Sequence, residues 1–123
     1  MAKGPDIRIG TVSTIDYEHG MISVKYDELS GAVTADMPML SFNDEYKMPN
    51  IDDTVLVLYL SNGSSIGIVL GKIWNESNVP IRTGKGVYRK DLADDVSVEY
   101  RNGVLKIKAP KVQIVSQNGT QDF

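Results

Sequence analysis

The sequence predicts an all-β chain, a small antiparallel barrel followed by an extended β-prong, and three observations carry that reading. Short alternating or apolar runs recur along the whole chain, each bounded by Gly, Asn, Asp or Pro, and leave little room for a long helix. The stretch Met48 to Trp74 reads as a hairpin: an apolar arm from Thr54 to Leu60, a reversal at Asn62-Gly63-Ser64, and a second apolar arm from Ile66 to Leu70. Beyond Gly86 the chain turns repetitive, with thin apolar stripes and nothing to cover them.

The elements follow in order. Ile7 to Thr14 alternates, with Ile7, Ile9 and Thr11 on one face, and Gly10 inside it predicts a bulge or sharp bend. Asp16-Tyr17-Glu18-His19-Gly20 is turn-like. Met21 to Tyr26 then resumes the pattern with Ile22, Val24 and Tyr26 on one side, making a hairpin with the first segment. Glu28 to Gly31 turns again. Ala32 to Leu40 is a weaker strand ending in Met37-Pro38-Met39-Leu40, and its proline, which lacks a ladder donor, places it at an edge. Ser41 to Asn50 reads as a loop or one short helical turn.

The arm Thr54 to Leu60 is apolar on both faces. Leu56, Leu58 and Leu60 share one side, and Val55, Val57 and Tyr59 the other. A barrel needs only its inner face apolar, so the surplus face implies a second buried surface; the pattern leaves open which set points inward. Residues 1–74 are thus expected to form the barrel, and the polar stretch 75–86, with Pro80, Gly84 and Gly86, a linker. Residues 87–123 form the prong. In it Val96, Val98 and Tyr100 alternate, Leu105 and Ile107 oppose Lys106 and Lys108, and Val112 and Ile114 follow Pro110. Three such strands cannot offset a backbone ordering cost of roughly 1 to 2 kcal/mol per residue. The cheapest partner is a copy of the chain, with apolar stripes meeting on an axis as in intertwined β-helices.

Bulk properties narrow the function. A chain of 123 residues suits one modest domain or a small domain with an appendage. A net charge of −3 argues against binding nucleic acid or anionic membranes by charge alone, and the absence of cysteine removes disulfides, thiolate zinc sites and cysteine nucleophiles. The opening MAKGPDIRIG has no apolar run resembling a signal peptide, and no segment reaches membrane-helix length, so folding in the cytoplasm is expected. The Asn-x-Ser/Thr triplets at Asn62, Asn75 and Asn118 then read as accidental.

No residue constellation points to catalysis. His19 is the only histidine and reads as a solvated turn residue, so a Ser-His-Asp triad has no independent support. Asp52-Asp53 and Asp94-Asp95 lack the spaced oxygen ligands of a calcium loop and read as loop solvation and capping. Gly67-Ile68-Val69-Leu70-Gly71-Lys72 is one residue short of a phosphate loop and is committed to a strand. Tyr17, Tyr26, Tyr46, Tyr59 and Trp74 could serve as stacking platforms of a single-stranded nucleic-acid-binding barrel, with Lys25 and Lys47 nearby. Glu18, Asp27, Glu28, Asp44 and Glu45 stand among them and favour core or interface roles. No catalytic, cofactor-binding or metal residue is therefore assigned.

Three runs, in this order and spacing, resemble the baseplate assembly protein V family of contractile phage tails: Ile7-Arg8-Ile9-Gly10-Thr11-Val12, Pro49-Asn50-Ile51-Asp52-Asp53-Thr54-Val55-Leu56-Val57-Leu58, and Gly67-Ile68-Val69-Leu70-Gly71. The likeness extends through Tyr88 to Ile114, which looks like the β-helical prong of those proteins. It implies an OB-fold-like barrel followed by an intertwined trimeric β-helix, the central spike of a contractile tail or tail-like bacteriocin. By implication it is a homotrimer with no enzymatic activity, seated in a virion or tail-like particle among baseplate hub and tube proteins, its point closed either by a separate tip protein or by apolar packing. It would transmit contraction force to a target cell envelope. The trimer interface expected on this basis comprises Val55, Leu56, Val57, Leu58, Tyr59, Leu60, Val96, Val98, Leu105, Ile107, Val112 and Ile114. Two departures stand out. The family usually has glycine where this chain has Asp52, and the His-x-His pair that binds iron at some spike tips has no counterpart in Ser116 to Phe123, so that metal is not carried over.

Overall fold

The computed structural model describes residues 6–60 and 67–123, and every described element is a β-strand, a 3₁₀ turn or a loop. The chain divides into two compact units, Met1–Asn78 and Val79–Phe123.

The first unit is built on β1 (Asp6–Asp16), β2 (Met21–Tyr26), β3 (Ala32–Val33), β4 (Met37–Pro38), β5 (Thr54–Tyr59) and β6 (Ile68–Lys72). They form a six-stranded antiparallel sheet in the order β3-β2-β1-β5-β6, with β4 also on β2. β1 is the spine, pairing with β2 on one side and β5 on the other. The arms at Thr54 and Ile68 pair antiparallel as the sequence predicts; the reversal at Asn62-Gly63-Ser64 lies outside the described residues.

The expected closed barrel is not formed. The sheet curls until Met39 meets Val69 in a single parallel bridge, with the Leu40 amide donating to the Val69 carbonyl at 2.8 Å. Pairing stops there because the strand on that side is only Met37–Pro38, and Pro38 has no amide proton to extend a ladder. The edge position expected for this segment is observed, since β3 and β4 lie on the outer side of β2.

Inside the curl, Val12, Ile22, Val24, Tyr26, Met37, Val55, Val57 and Val69 form the core, with Ile15, Met39, Met48 and Tyr59 packed against it. Tyr26 and Tyr59 share a hydroxyl–hydroxyl hydrogen bond of 2.8 Å at its rim. Two glycines permit this packing. A Cβ at Gly10 would lie 2.5 Å from Val24 Cγ1, and one at Gly67 would lie 2.8 Å from Val57 Cγ1. Gly10 therefore serves a close crossing of β1 over β2, and the bulge expected there falls instead between Val12 and Thr14, where Ser23 Oγ accepts from the Thr14 amide at 3.1 Å.

The second unit holds a three-stranded antiparallel sheet of β7 (Tyr88–Ala93), β8 (Val96–Arg101) and β9 (Val104–Lys108), and a two-stranded hairpin of β10 (Gln113–Ser116) and β11 (Gly119–Asp122). β8 and β9 are joined at Asn102-Gly103, both with positive φ (49° and 83°), the geometry that a tight hairpin turn requires. Residues 79–86, part of the expected 75–86 linker, meet this sheet through Arg82 at Glu99 and the Thr83 carbonyl at Arg101. β7 and β11 were not expected as strands. β7, YRKDLA, carries charges where an apolar strand would carry aliphatics, and β11, GTQD, has no aliphatic residue at all.

Candidate functional site

The residues that the sequence marks as an interface fall into three groups. Val55 and Val57 are fully buried in the core and Tyr59 packs against it, which removes them from any outer surface. The surplus apolar face of β5 is therefore Leu56 and Leu58, with Leu60 exposed just beyond the strand.

Strand register extends this face across three strands. Leu58 is opposite Ile7 on β1 and Ile68 on β6, and Leu56 is opposite Ile9. Directly paired residues share a face, so these five side chains form one apolar strip on the outside of the sheet. Ile7 and Ile9 are 63% and 53% exposed, whereas Leu56, Leu58 and Ile68 are half-buried by their neighbours. Ile7 and Ile9 were read only as one side of a strand; their pairing with the surplus leucines needed the β1–β5 register, which no local pattern encodes.

The second unit repeats the arrangement with different chemistry. On β8 and β9, Val98 is opposite Ile107 and Tyr100 opposite Leu105, while β7 adds Tyr88 beside Tyr100. Leu105 and Ile107 are 63% and 59% exposed, and Val96 and Val98 are half-buried. Val112, half-buried, and Ile114, exposed, belong to the separate hairpin, where the Phe123 amide donates to the Val112 carbonyl at 3.0 Å. The expected stripes of β8 and β9 thus share one face.

The opposite face of that sheet is mostly polar; it is covered over β8, while Val104, Lys106 and Lys108 on β9 stay exposed. Ser97 and Glu99 are buried, with Glu99 only 3% exposed. A buried carboxylate is costly unless paired, and Glu99 Oε1 lies 3.1 Å from Arg89 on β7 and 3.2 Å from Arg82. Arg89 also meets Asp91 at 2.8 Å, and Arg101 donates to the Thr83 carbonyl at 3.1 Å. Burial pushes the Glu99 carboxyl up, yet the hydrogen bond from Arg89 and the charges of Arg82, Arg89 and Arg101 outweigh it and hold the group below its ordinary range. The alternation of Ser97 and Glu99 with valines gave no sign that the polar side would be the enclosed one. The facing charges of Arg89 and Asp91 were the available signal.

The remaining candidates resolve into local structure. His19 Nδ1 sits 2.9 Å from Asp16 Oδ2 in the exposed turn after β1. Asp53 accepts from the Asn50 amide at 2.7 Å and lies 3.5 Å from Lys72, so its carboxylate caps the turn that leads into β5. Asp52 has φ of 73°, the left-handed conformation for which glycine is the usual solution, and its amide donates to the Val12 carbonyl at 2.9 Å. Among the described residues no cluster of three or more His, Asp or Glu side chains is arranged to hold a metal. Tyr17, Phe42 and Tyr46 are exposed, and the Tyr46 hydroxyl donates to the Tyr17 carbonyl at 2.9 Å, with Glu18, Asp44 and Glu45 close in sequence. No protein-family model matches the chain, and no curated protein does.

Proposed function

We propose that this chain is a structural subunit of the central spike of a contractile tail or tail-like bacteriocin, acting as a homotrimer that carries contraction force into a target cell envelope. One observation carries the reading: the first unit buries one face of its sheet and leaves an apolar strip on the other, and in the second unit Ser97 and Glu99 are buried on one face while Tyr100, Leu105 and Ile107 stand exposed on the other, with Lys90 beside Val98. In the first unit the bare face is the Ile7, Ile9, Leu56, Leu58 and Ile68 strip; in the second it is Val98, Tyr100, Leu105 and Ile107. Each aliphatic side chain taken from water contributes about 1.5–3 kcal/mol, which three copies gain together around an axis.

In this reading the first unit plays the part of the OB-fold-like barrel, its curl drawn round by the Met39–Val69 bridge. The strands of the second unit intertwine with those of two other chains, bringing Val96, Val98, Leu105, Ile107, Val112 and Ile114 to the axis. The spike does no chemistry. It supplies stiffness between the baseplate hub and tube proteins above and a tip protein below, and the sheath supplies the energy. Light scattering and negative-stain imaging of purified protein test the proposal: a tapered particle of three times the 13.5 kDa chain mass is expected, and a stable folded monomer at micromolar concentration overturns it.

The alternative, a single-stranded nucleic-acid-binding module, would use the exposed Tyr17, Phe42 and Tyr46. The acids Glu18, Asp44 and Glu45 repel a phosphate backbone. Absence of oligonucleotide binding at low salt is the expected result.

A further inference from the structure

We propose that residues 79–87 are a strap latched over the polar face of the β7–β9 sheet, that Glu99 is the latch, and that opening it converts the segment into a free tether. The segment is fastened by charge and hydrogen bonding. Arg82 Nε meets Glu99 at 3.2 Å, and the Thr83 carbonyl accepts from Arg101 at 3.1 Å. Its apolar residues hold little: Val79 and Ile81 are 64% and 70% exposed. A strap anchored by its aliphatics would turn those two inward.

The latch is asymmetric. Glu99 is enclosed and also held by Arg89 at 3.1 Å, so it stays in place when Arg82 leaves, whereas Arg82, half-exposed, has Glu99 as its carboxylate partner in the strap. Arg101 Nε on β8 is buried and makes no protein hydrogen bond, so the guanidinium is fastened to the strap through its terminal nitrogen at Thr83. Gly84 allows the tight fit: a Cβ there would lie 3.2 Å from Val87 Cγ2, and its φ of 152° suits glycine. Once released, the nine residues from 79 to 87 span up to about 30 Å when extended, giving reach to whatever follows them. An ionic fastening with one half-exposed partner weakens as salt is added, whereas an apolar one does not weaken.

Trypsin tests the latch on the full chain, because Lys85 lies in the strap and Lys111, exposed beyond it, serves as an internal reference. Arg82→Gln is expected to raise the cleavage rate at Lys85 relative to Lys111 at least about fivefold, leaving amide-exchange protection of Val98 and Ile107 unchanged. Arg101→Gln, which frees Thr83, should raise it in the same direction, and moderate salt should do so in the unmutated protein. A Lys85 rate equal to the reference-corrected wild-type rate in both variants overturns the proposal. Loss of Val98 protection together with faster cleavage also overturns it, since the cluster would then be holding the sheet and not the strap. The readout does not depend on trimer formation, so the latch and the spike assignment stand or fall separately.

Discussion

At single residues the geometry makes the sharpest demands. Asp52 occupies a left-handed conformation that costs an ordinary L-residue roughly 1–2 kcal/mol, and aspartate is among the few side chains that tolerate it. Asp52→Val should therefore lower unfolding free energy by about 1–2 kcal/mol, while Asp52→Gly changes it by less than about 1 kcal/mol, as urea titration would show. Equal losses would mean that the aspartate side chain, and not the backbone, matters. Tyr26 makes a different prediction. Burial, with the hydrogen bond to Tyr59, pushes its hydroxyl well above the ordinary 10.0, so the folded state favours the neutral form. The sign follows from linkage: the contribution is complete below pH 10 and is lost as pH rises above it, because the unfolded chain then releases a proton that the folded chain retains. Melting temperature should fall less steeply above pH 10 in Tyr26→Phe than in the parent, and parallel curves would refute the assignment.

At the level of elements, the two sides of β9 should behave unlike each other. Ile107 lies on the bare face opposite Val98, and Lys106 on the other face opposite Glu99. If the bare face is covered by other copies, Ile107→Asp places a carboxylate in a dry contact at a cost of several kcal/mol, while Lys106→Gln stays within about half of one. Sedimentation and thermal melts of the pair distinguish them, and similar behaviour overturns the assignment of faces. The same contrast shows what the sequence made legible. Alternation placed β1, β2, β5 and the stripes of β8 and β9, because side-chain direction follows directly from strand geometry. It could not tell Val55 and Val57 from Leu56 and Leu58, since both sets are apolar and only the curl of the sheet chooses between them. Apolar period misses β7 and the contacts of residues 79–86 for a related reason: they are tied by charge, Arg89 to Asp91 and to Glu99 and Arg82 to Glu99, and apolar period does not register ionic pairing.

For the whole molecule, core and outer strip should separate cleanly under mutation. Val57→Ala leaves a cavity in the core beside Val69 and should cost about 2 kcal/mol or more without changing the mass in solution. If the proposed trimer forms through the outer strip, Leu58→Glu should leave each chain folded and lower the mass in solution, and a trimer mass unchanged by Leu58→Glu would remove the strip from the interface. The single rung between Met39 and Val69 bears on a further property. Where neighbouring strands are riveted by several hydrogen bonds, this seam shows one among the described residues, Leu40 to Val69, beside a proline that can add none. In the proposed spike this is the line along which the first unit would yield first under load, before the strands that several hydrogen bonds join.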